Sequence, residues 1–168
     1  MKRISAIIAA CGRGVSWLIL GLVGLTFVVV VLRYGFNLGW IWLQEAITYL
    51  HAAVFMLAAA WTLGEDGHVR VDIIYRDASE RYRAWVNLGG TVLLLIPFCL
   101  FLIIVGWEYV FVSWQRLEGS REAGGLPAVF LLKSLILLMP ALLLAQAVII
   151  VKRSVHCLKD RPASVHDA

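Results

Sequence analysis

The chain has 168 residues, of which 61% are hydrophobic and 15% are charged, and its mean hydropathy is +0.85. Soluble domains are only about 45 to 50% apolar, so this composition excludes an ordinary water-soluble protein. The net charge of +4 does not indicate nucleic-acid binding, because the basic residues lie between long apolar segments. We therefore predict one small, all-α integral membrane domain.

Four apolar segments predict four transmembrane helices, since each is close to the roughly 20 residues that cross a bilayer. The first has no charged residue, and we expect a retained membrane anchor rather than a cleaved signal peptide. In the second, Trp42 and Trp61 are about 28 Å apart along a helix, which suits an aromatic belt at each membrane surface. In chain order the segments are Gly14–Leu32, Leu38–Gly64, Trp85–Trp107 and Leu126–Val151.

The basic residues outside these segments predict the orientation, because cytoplasmic segments retain Lys and Arg during insertion. Eleven lie at the N-terminus, at the C-terminus and between the second and third helices, against three on the opposite side. We therefore expect both termini in the cytoplasm. We also expect a single domain over residues 1–160 and a disordered cytoplasmic tail over 161–168.

The three connections differ in character. Arg33–Leu38 is a tight external turn, with Asn37 as its turn-forming residue. The internal connection, Glu65–Arg83, mixes acids and arginines with Val and Ile, and predicts a short segment in the headgroup layer. Within it, Asp77 and Glu80 have the spacing of a capping box and predict the start of the third helix. That helix is expected to continue past the membrane into the external connection, residues 108–125.

Two opposite charges fall inside the predicted apolar layer. Glu45 lies about 5 Å below the Trp42 belt, where an ionised carboxylate costs at least about 2.5 kcal/mol. Lys133 lies about 9 Å into the fourth helix from the same side. The two residues belong either to an ion or proton pathway or to a structural pair between helices or subunits. We favour the structural pair, because a pathway needs more polar groups than these helices offer.

His51 lies near the middle of the second helix. An imidazole at that depth can bind haem, relay a proton or hydrogen-bond a neighbouring helix. A haem between helices needs a second axial ligand, and the other three histidines lie outside the apolar segments. We therefore favour the hydrogen bond.

Motifs for chemistry are missing from the sequence: it has no phosphate-binding glycine loop, no zinc-ligand spacing and no nucleophile triad. We therefore expect no catalytic residue, no metal ligand, no cofactor and no enzyme activity. Two other classes stay open. One is a self-contained small oligomeric transporter coupled through Glu45. The other, less favoured, is the membrane anchor subunit of a redox complex.

Three short motifs follow one another in a specific order across the four crossings. They are Arg33-Tyr34 with Asn37, Trp42 with Glu45, and Gly67-His68-Val69-Arg70-Val71-Asp72. In these motifs and their order, the sequence resembles the small Q-type (DctQ-like) membrane subunit of tripartite ATP-independent periplasmic (TRAP) transporters. The resemblance covers the chain from Gly14 to Lys152.

This resemblance implies a sodium-coupled importer of organic acids such as dicarboxylates in the bacterial inner membrane. Its partners are a periplasmic substrate-binding protein, the lipid bilayer and a large membrane subunit, which carries the substrate and sodium sites and moves like an elevator. The small subunit is then a scaffold that enlarges the static part. A docking or interfacial role is expected for Arg33, Asn37, Trp42, His68, Arg70 and Asp72.

Overall fold

The computed structural model describes residues 2–65, 67 and 78–159. Four of its helical segments are long and apolar enough to cross a membrane, which confirms the prediction of an all-α protein with four transmembrane helices. The third span, Glu80–Gln115, combines two helices and the π-helical turn Thr91–Leu95 that joins them. The helices are α1 (Lys2–Gly35), α2 (Ile41–Gly64), α3 (Glu80–Gly90), α4 (Ile96–Gln115) and α5 (Val129–Lys159).

The two ends of the bundle are distinguished by their connections. One end carries the turn between α1 and α2, residues 36–40, and the connection between α4 and α5, residues 116–128, and is called the loop end. The start of α1 and the end of α5 lie at the opposite, terminal end, because the four spans alternate in direction. Residues 68–77 and 160–168 lie outside the described residues, so the predicted headgroup segment, domain limits and disordered tail stay predictions.

The turn at residues 36–40 forms as predicted around Asn37, whose φ is +56°. Asparagine tolerates this left-handed conformation better than most residues. It brings the chain back over the end of α1, where the N–H groups of Phe36 and Leu38 donate to the Leu32 carbonyl at 3.2 and 2.9 Å. The turn therefore satisfies a carbonyl that the helix end would leave without a partner.

The start of the third span differs from the predicted capping box. Ser79 is the N-cap residue, and its side chain accepts a hydrogen bond from the Tyr82 N–H at 3.3 Å. Glu80 is the first residue of α3, while Asp77 lies outside the described residues. The prediction of Asp77 as cap is therefore wrong, because the Ser79 hydroxyl is the group that accepts from the free N–H groups of the first turn.

The π-helical turn in the third span is explained by Pro97. Proline has no N–H and its ring clashes with the carbonyl four residues earlier, so a regular α-helix cannot continue through it. Widening the preceding turn relieves this clash. The N–H of Ile96 accordingly donates to the carbonyl of Thr91 rather than to that of Val92.

The helices form an open arrangement centred on α5. This helix packs against α2 and the third span, and more weakly against α1, which packs chiefly against α2. Within the most apolar stretch of each span, 22% of α5 residues are buried but only 6% in α1 and α2. Most apolar side chains of the described spans therefore face lipid or another protein.

Glycine allows α1 and α2 to approach closely. A Cβ atom on Gly12 would overlap the Trp61 indole, with Cε3 only 2.9 Å away, whereas Gly14 has open space. We expect Gly12→Ala to lower the thermal unfolding midpoint of the purified chain in detergent. Gly14→Ala is the matched control and should leave it unchanged or raise it, because alanine favours helix by about 1 kcal/mol. Equal midpoints would contradict this packing.

Candidate functional site

The connection between α4 and α5 at the loop end contacts both charged residues that the sequence places in the apolar layer, each at a different point. It begins where α4 ends in a Schellman motif: the Glu118 N–H donates to the Ser113 carbonyl at 3.0 Å, and the Leu117 N–H to that of Trp114 at 3.2 Å. Leu117 takes the left-handed conformation, with φ of +44°. This turn directs Glu118 and the following residues back across the bundle.

Glu45 fastens this connection to α2. One carboxylate oxygen accepts a hydrogen bond from the Ser120 hydroxyl, and the other accepts one from the Leu126 N–H at 2.6 Å. The backbone N–H of Ser120 also donates to the Leu126 carbonyl at 2.9 Å. The two ends of residues 120–126 are thereby joined to each other and to one carboxylate, an arrangement we call the Glu45 clasp.

The Glu45 clasp depends on the absence of a side chain at Gly125. A Cβ atom there would overlap the Ser120 side chain and lie 2.8 Å from a Glu45 oxygen. The contacts with Ser120 and with Glu45 would both be shorter than van der Waals contact allows. Glycine is therefore required here for space, since its own φ is not in the left-handed region as that of Gly124 is.

Lys133 forms a second contact at the loop end. Its Nζ donates to Glu118 at 2.5 Å and lies 3.9 Å from the centre of the Tyr109 ring. The side chains of Lys133 and Glu118 are 13% and 29% exposed, so the lysine is the more deeply placed partner. The ion pair and the cation–π contact together stabilise a positive charge on a membrane-spanning helix.

The Lys133 contact also affects the protonation of Glu118, which lies beyond the end of α4. The hydrogen bond from Lys133 lowers the pKa of Glu118 below its ordinary value of 4.5. A lowered folded-state pKa means that the pair stabilises the fold fully above the ordinary value. This stabilisation is lost as the pH falls through the lowered one.

Glu45 and Lys133 therefore do not pair with each other, which was one of the two forms of the predicted structural pair; the other form, pairing with another subunit, is not needed to neutralise Lys133. The two residues do lie at the same end of the bundle, but each contacts a different part of residues 116–128. The reason is that the connection folds back between them and supplies nearer partners. Glu118 neutralises the lysine, while a hydroxyl and a backbone N–H solvate the carboxylate.

An aromatic contact beside the Lys133 pair holds α4 against α5. The indole N–H of Trp114 donates to the Ser134 hydroxyl at 2.7 Å, and its ring meets Phe130 edge-on with the centroids 4.8 Å apart. The Ser134 hydroxyl in turn donates to the Phe130 carbonyl at 2.8 Å. The helix ends that carry Glu118 and Lys133 are thus fixed relative to each other.

The residues predicted to dock a partner are only partly visible. Arg33, Asn37 and Trp42 are exposed at the loop end, where a partner can reach them. His68, Arg70 and Asp72 lie outside the described residues. The docking role of all six stays a prediction.

Three members of this site were not predicted from the sequence: Glu118, Ser120 and Gly125. Their positions depend on how the connection folds back, which neither helical periodicity nor hydropathy reports. One signal was available, because a lysine inside an apolar helix needs an acid, and Glu118 is fifteen residues earlier in the same helical hairpin.

The described residues form no cluster of metal-ligating side chains. No group of three or more His, Cys, Asp or Glu side chains in that part of the chain could hold a metal ion. His51 is exposed on α2 and so does not face a second helix of this chain. The geometry at the loop end supports a structural role, because the Glu45 clasp and the Lys133–Glu118 ion pair both hold the 116–128 connection in place.

The chain is similar to known components of a family of membrane transporters. Residues 22–157 match the family described as tripartite ATP-independent periplasmic transporters, DctQ component. Over 85 residues the chain is 29% identical to the C4-dicarboxylate TRAP transporter small permease protein DctQ of Vibrio cholerae serotype O1. That stretch is 51% of this chain and 36% of the relative, so the chain spans little more than a third of the relative's length. No solved structure matches.

Proposed function

The chain belongs to the DctQ family of TRAP transporter components, and from this premise we propose that it is the small scaffold subunit of a sodium-coupled importer of organic acids. Membership makes it a multi-pass protein of the inner membrane and a transport component rather than an enzyme. The proposed partners are a large membrane subunit, which holds the substrate and sodium sites, and a periplasmic binding protein. The name of the Vibrio relative favours C4-dicarboxylates as the substrates of the whole transporter.

One observation carries the scaffold assignment: in the described spans, polar side chains do not converge into a cluster near the midplane. Of the buried polar side chains, Thr91, Gln146 and Ser154 line one cavity toward the terminal end, while Ser113 lies near the loop end. Glu45 and Lys133 already bind the 116–128 connection. A site for a dicarboxylate and sodium needs several converging polar groups near the midplane, so such a site is expected in the large subunit.

The open packing of the helices supports the proposal that this chain stabilises the static part of the large subunit. Four spans that bury few residues against one another leave a broad apolar surface. Fixed beside the static part of the large subunit, this surface would widen the scaffold and resist tilting while the moving domain crosses about 30 Å of hydrocarbon. If so, deleting this chain should lower the yield of folded large subunit from membranes. An unchanged yield would count against a stabilising role.

We also propose that the loop end faces the periplasm and the terminal end the cytoplasm, as the distribution of basic residues predicts. In a background with Cys11 and Cys157 changed to Ser, Ala123→Cys in the 116–128 connection should react with an impermeant thiol reagent added to intact cells. Tyr82→Cys, at the start of α3 on the opposite side, should react only after the membrane is permeabilised. The reverse pattern would contradict this orientation.

A further inference from the structure

The exposed surface of α2 differs from that of the other spans. Between residues 43 and 63, the exposed positions are Gln44, Thr48, His51 and Phe55. They recur every three or four residues and therefore lie on one face, about one helix wide. We call this face the α2 stripe. Three of its four residues are polar, although the helix is apolar enough to cross a membrane.

The other described spans give the contrast. In α1 the exposed polar side chains between residues 14 and 32 are Ser16 and Thr26, and each hydroxyl donates to a carbonyl of its own helix. The exposed residues of the third span between 92 and 107 are all apolar, and so are those of α5 between 129 and 151. Such residues are what lipid chains require of a helix surface. The α2 stripe is therefore a local departure and not the general character of this bundle.

The polar groups of the α2 stripe extend deep into the membrane. His51 lies about 14 Å beyond Trp42 along the helix, close to the middle of a hydrocarbon layer about 30 Å thick. Thr48 satisfies its own hydroxyl proton by donating to the Gln44 carbonyl at 3.2 Å. Within the described part of the chain, the Gln44 carboxamide and the His51 imidazole make no hydrogen bond.

Lipid alone does not suit this surface. Acyl chains offer neither donors nor acceptors, so a carboxamide and an imidazole facing them lose the hydrogen bonds that water would supply. A neighbouring transmembrane helix with polar side chains restores those bonds and covers a face of this width. The occupant that fits is thus a membrane helix with hydrogen-bonding groups at two depths, one near the loop end and one near the midplane.

We propose that the α2 stripe packs against a transmembrane helix of the large membrane subunit, which presents hydrogen-bonding side chains to Gln44 and His51. This inference rests on the proposed function, because that function supplies a large membrane partner. It assigns the contact to one face of one helix, whereas the scaffold proposal leaves the interface open. Phe55 extends the same face with apolar contact toward the terminal end.

Site-specific photo-crosslinking tests this assignment in the assembled complex. Benzoylphenylalanine at Phe55 should crosslink to the large subunit. The same group at Phe101, a phenylalanine on α4 that is also more than half exposed, is the matched control and should crosslink less than a third as much. A Phe55 crosslink to a second copy of this chain, or equal crosslinking from both positions, would overturn the inference.

Substitutions give an independent measurement. Gln44→Leu and His51→Leu should each reduce the fraction of large subunit that co-purifies about three- to tenfold, as expected for the loss of a hydrogen bond between membrane helices. The isolated chain should unfold at the same temperature or higher, because leucine suits lipid better. Unchanged co-purification of both variants would overturn the inference. If even the unmodified chain fails to co-purify with a large subunit, the proposed function itself fails, whichever face is tested.

Discussion

Replacing Glu45 by Ala should release the 116–128 connection from α2 and let the backbone at Arg121, whose side chain is already exposed, open for cleavage by trypsin. The carboxylate accepts two hydrogen bonds from this connection, and a hydrogen bond to a charged group contributes about 1.5 to 3 kcal/mol. Loss of both, in a half-buried setting, should cost about 3 kcal/mol of local stability. Cleavage through local opening should then become about 100-fold faster, as measured on the purified chain in detergent.

Glu108→Ala is the control for the Glu45 substitution. Glu108 lies on α4, its side chain is exposed and it is remote from the Arg121–Glu122 bond, so its removal changes the charge without breaking the Glu45 clasp or altering the cleavage site. Cleavage of this variant should match that of the unmodified chain. Equal cleavage rates for Glu45→Ala and Glu108→Ala would contradict the Glu45 clasp.

Gly125→Ala tests the same clasp without removing the carboxylate. The added methyl group would overlap Ser120 and crowd Glu45, so cleavage at Arg121 should again be accelerated. Gly35→Ala serves as its control, because a Cβ atom there meets nothing within 4 Å. If Gly125→Ala is cleaved no faster than Gly35→Ala, the carboxylate and the connection are not in the described contact.

The second large effect is expected from Glu118→Gln. This change leaves Lys133 on a membrane-spanning helix without its counter-charge, with only the Tyr109 ring beside it. Lys133→Met should be milder, because the Glu118 that remains is more exposed and can be hydrated. The double variant should unfold at a higher temperature than Glu118→Gln alone, since replacing both charges removes the unpaired one. Strictly additive shifts in the unfolding midpoint would contradict the pair.

Acidification provides a check that uses the same pair. Because the pKa of Glu118 is lowered by Lys133, the unmodified chain should exceed Glu118→Gln in stability at neutral pH. The difference should persist down to the ordinary value of 4.5 and disappear only as the pH falls through the lowered one. A difference that is lost at higher pH would show that the two charges are not in contact.

The four spans and the turn at Asn37 were predictable because they depend on local properties. Twenty apolar residues cross a bilayer whatever surrounds them, and Asn37 supplies its own left-handed conformation. The N-cap of α3 was mispredicted for a related reason: Asp77 and Ser79 are both good caps. Only the backbone path decides which one lies beside the free N–H groups.

The partner of Lys133 could not be predicted from depth alone. Helical rise fixes how far Glu45 and Lys133 lie from the membrane surface, but it does not report which side of each helix faces the other. The path of the connection was equally hidden, because Leu117 takes a left-handed conformation in which glycine is the usual residue. Once the chain turns there, Glu118 reaches the lysine first.

For His51, the sequence predicts the need for a hydrogen-bond partner but not the identity of that partner. Its sequence position predicted a hydrogen bond to a neighbouring helix, but it is exposed on α2, so no helix among the described residues provides that bond. A single sequence reports that a polar residue inside a membrane needs a partner. It does not report where that partner is encoded.

The proposed scaffold role requires that this chain is needed for uptake but transports nothing by itself. Its most direct test uses vesicles containing this chain alone, the large subunit alone, or both, each given an inward sodium gradient, the binding protein and a labelled dicarboxylate. Only vesicles with both membrane subunits should accumulate label, and only while the gradient lasts. Sodium-dependent accumulation by this chain alone would contradict the scaffold account and assign transport to Glu45.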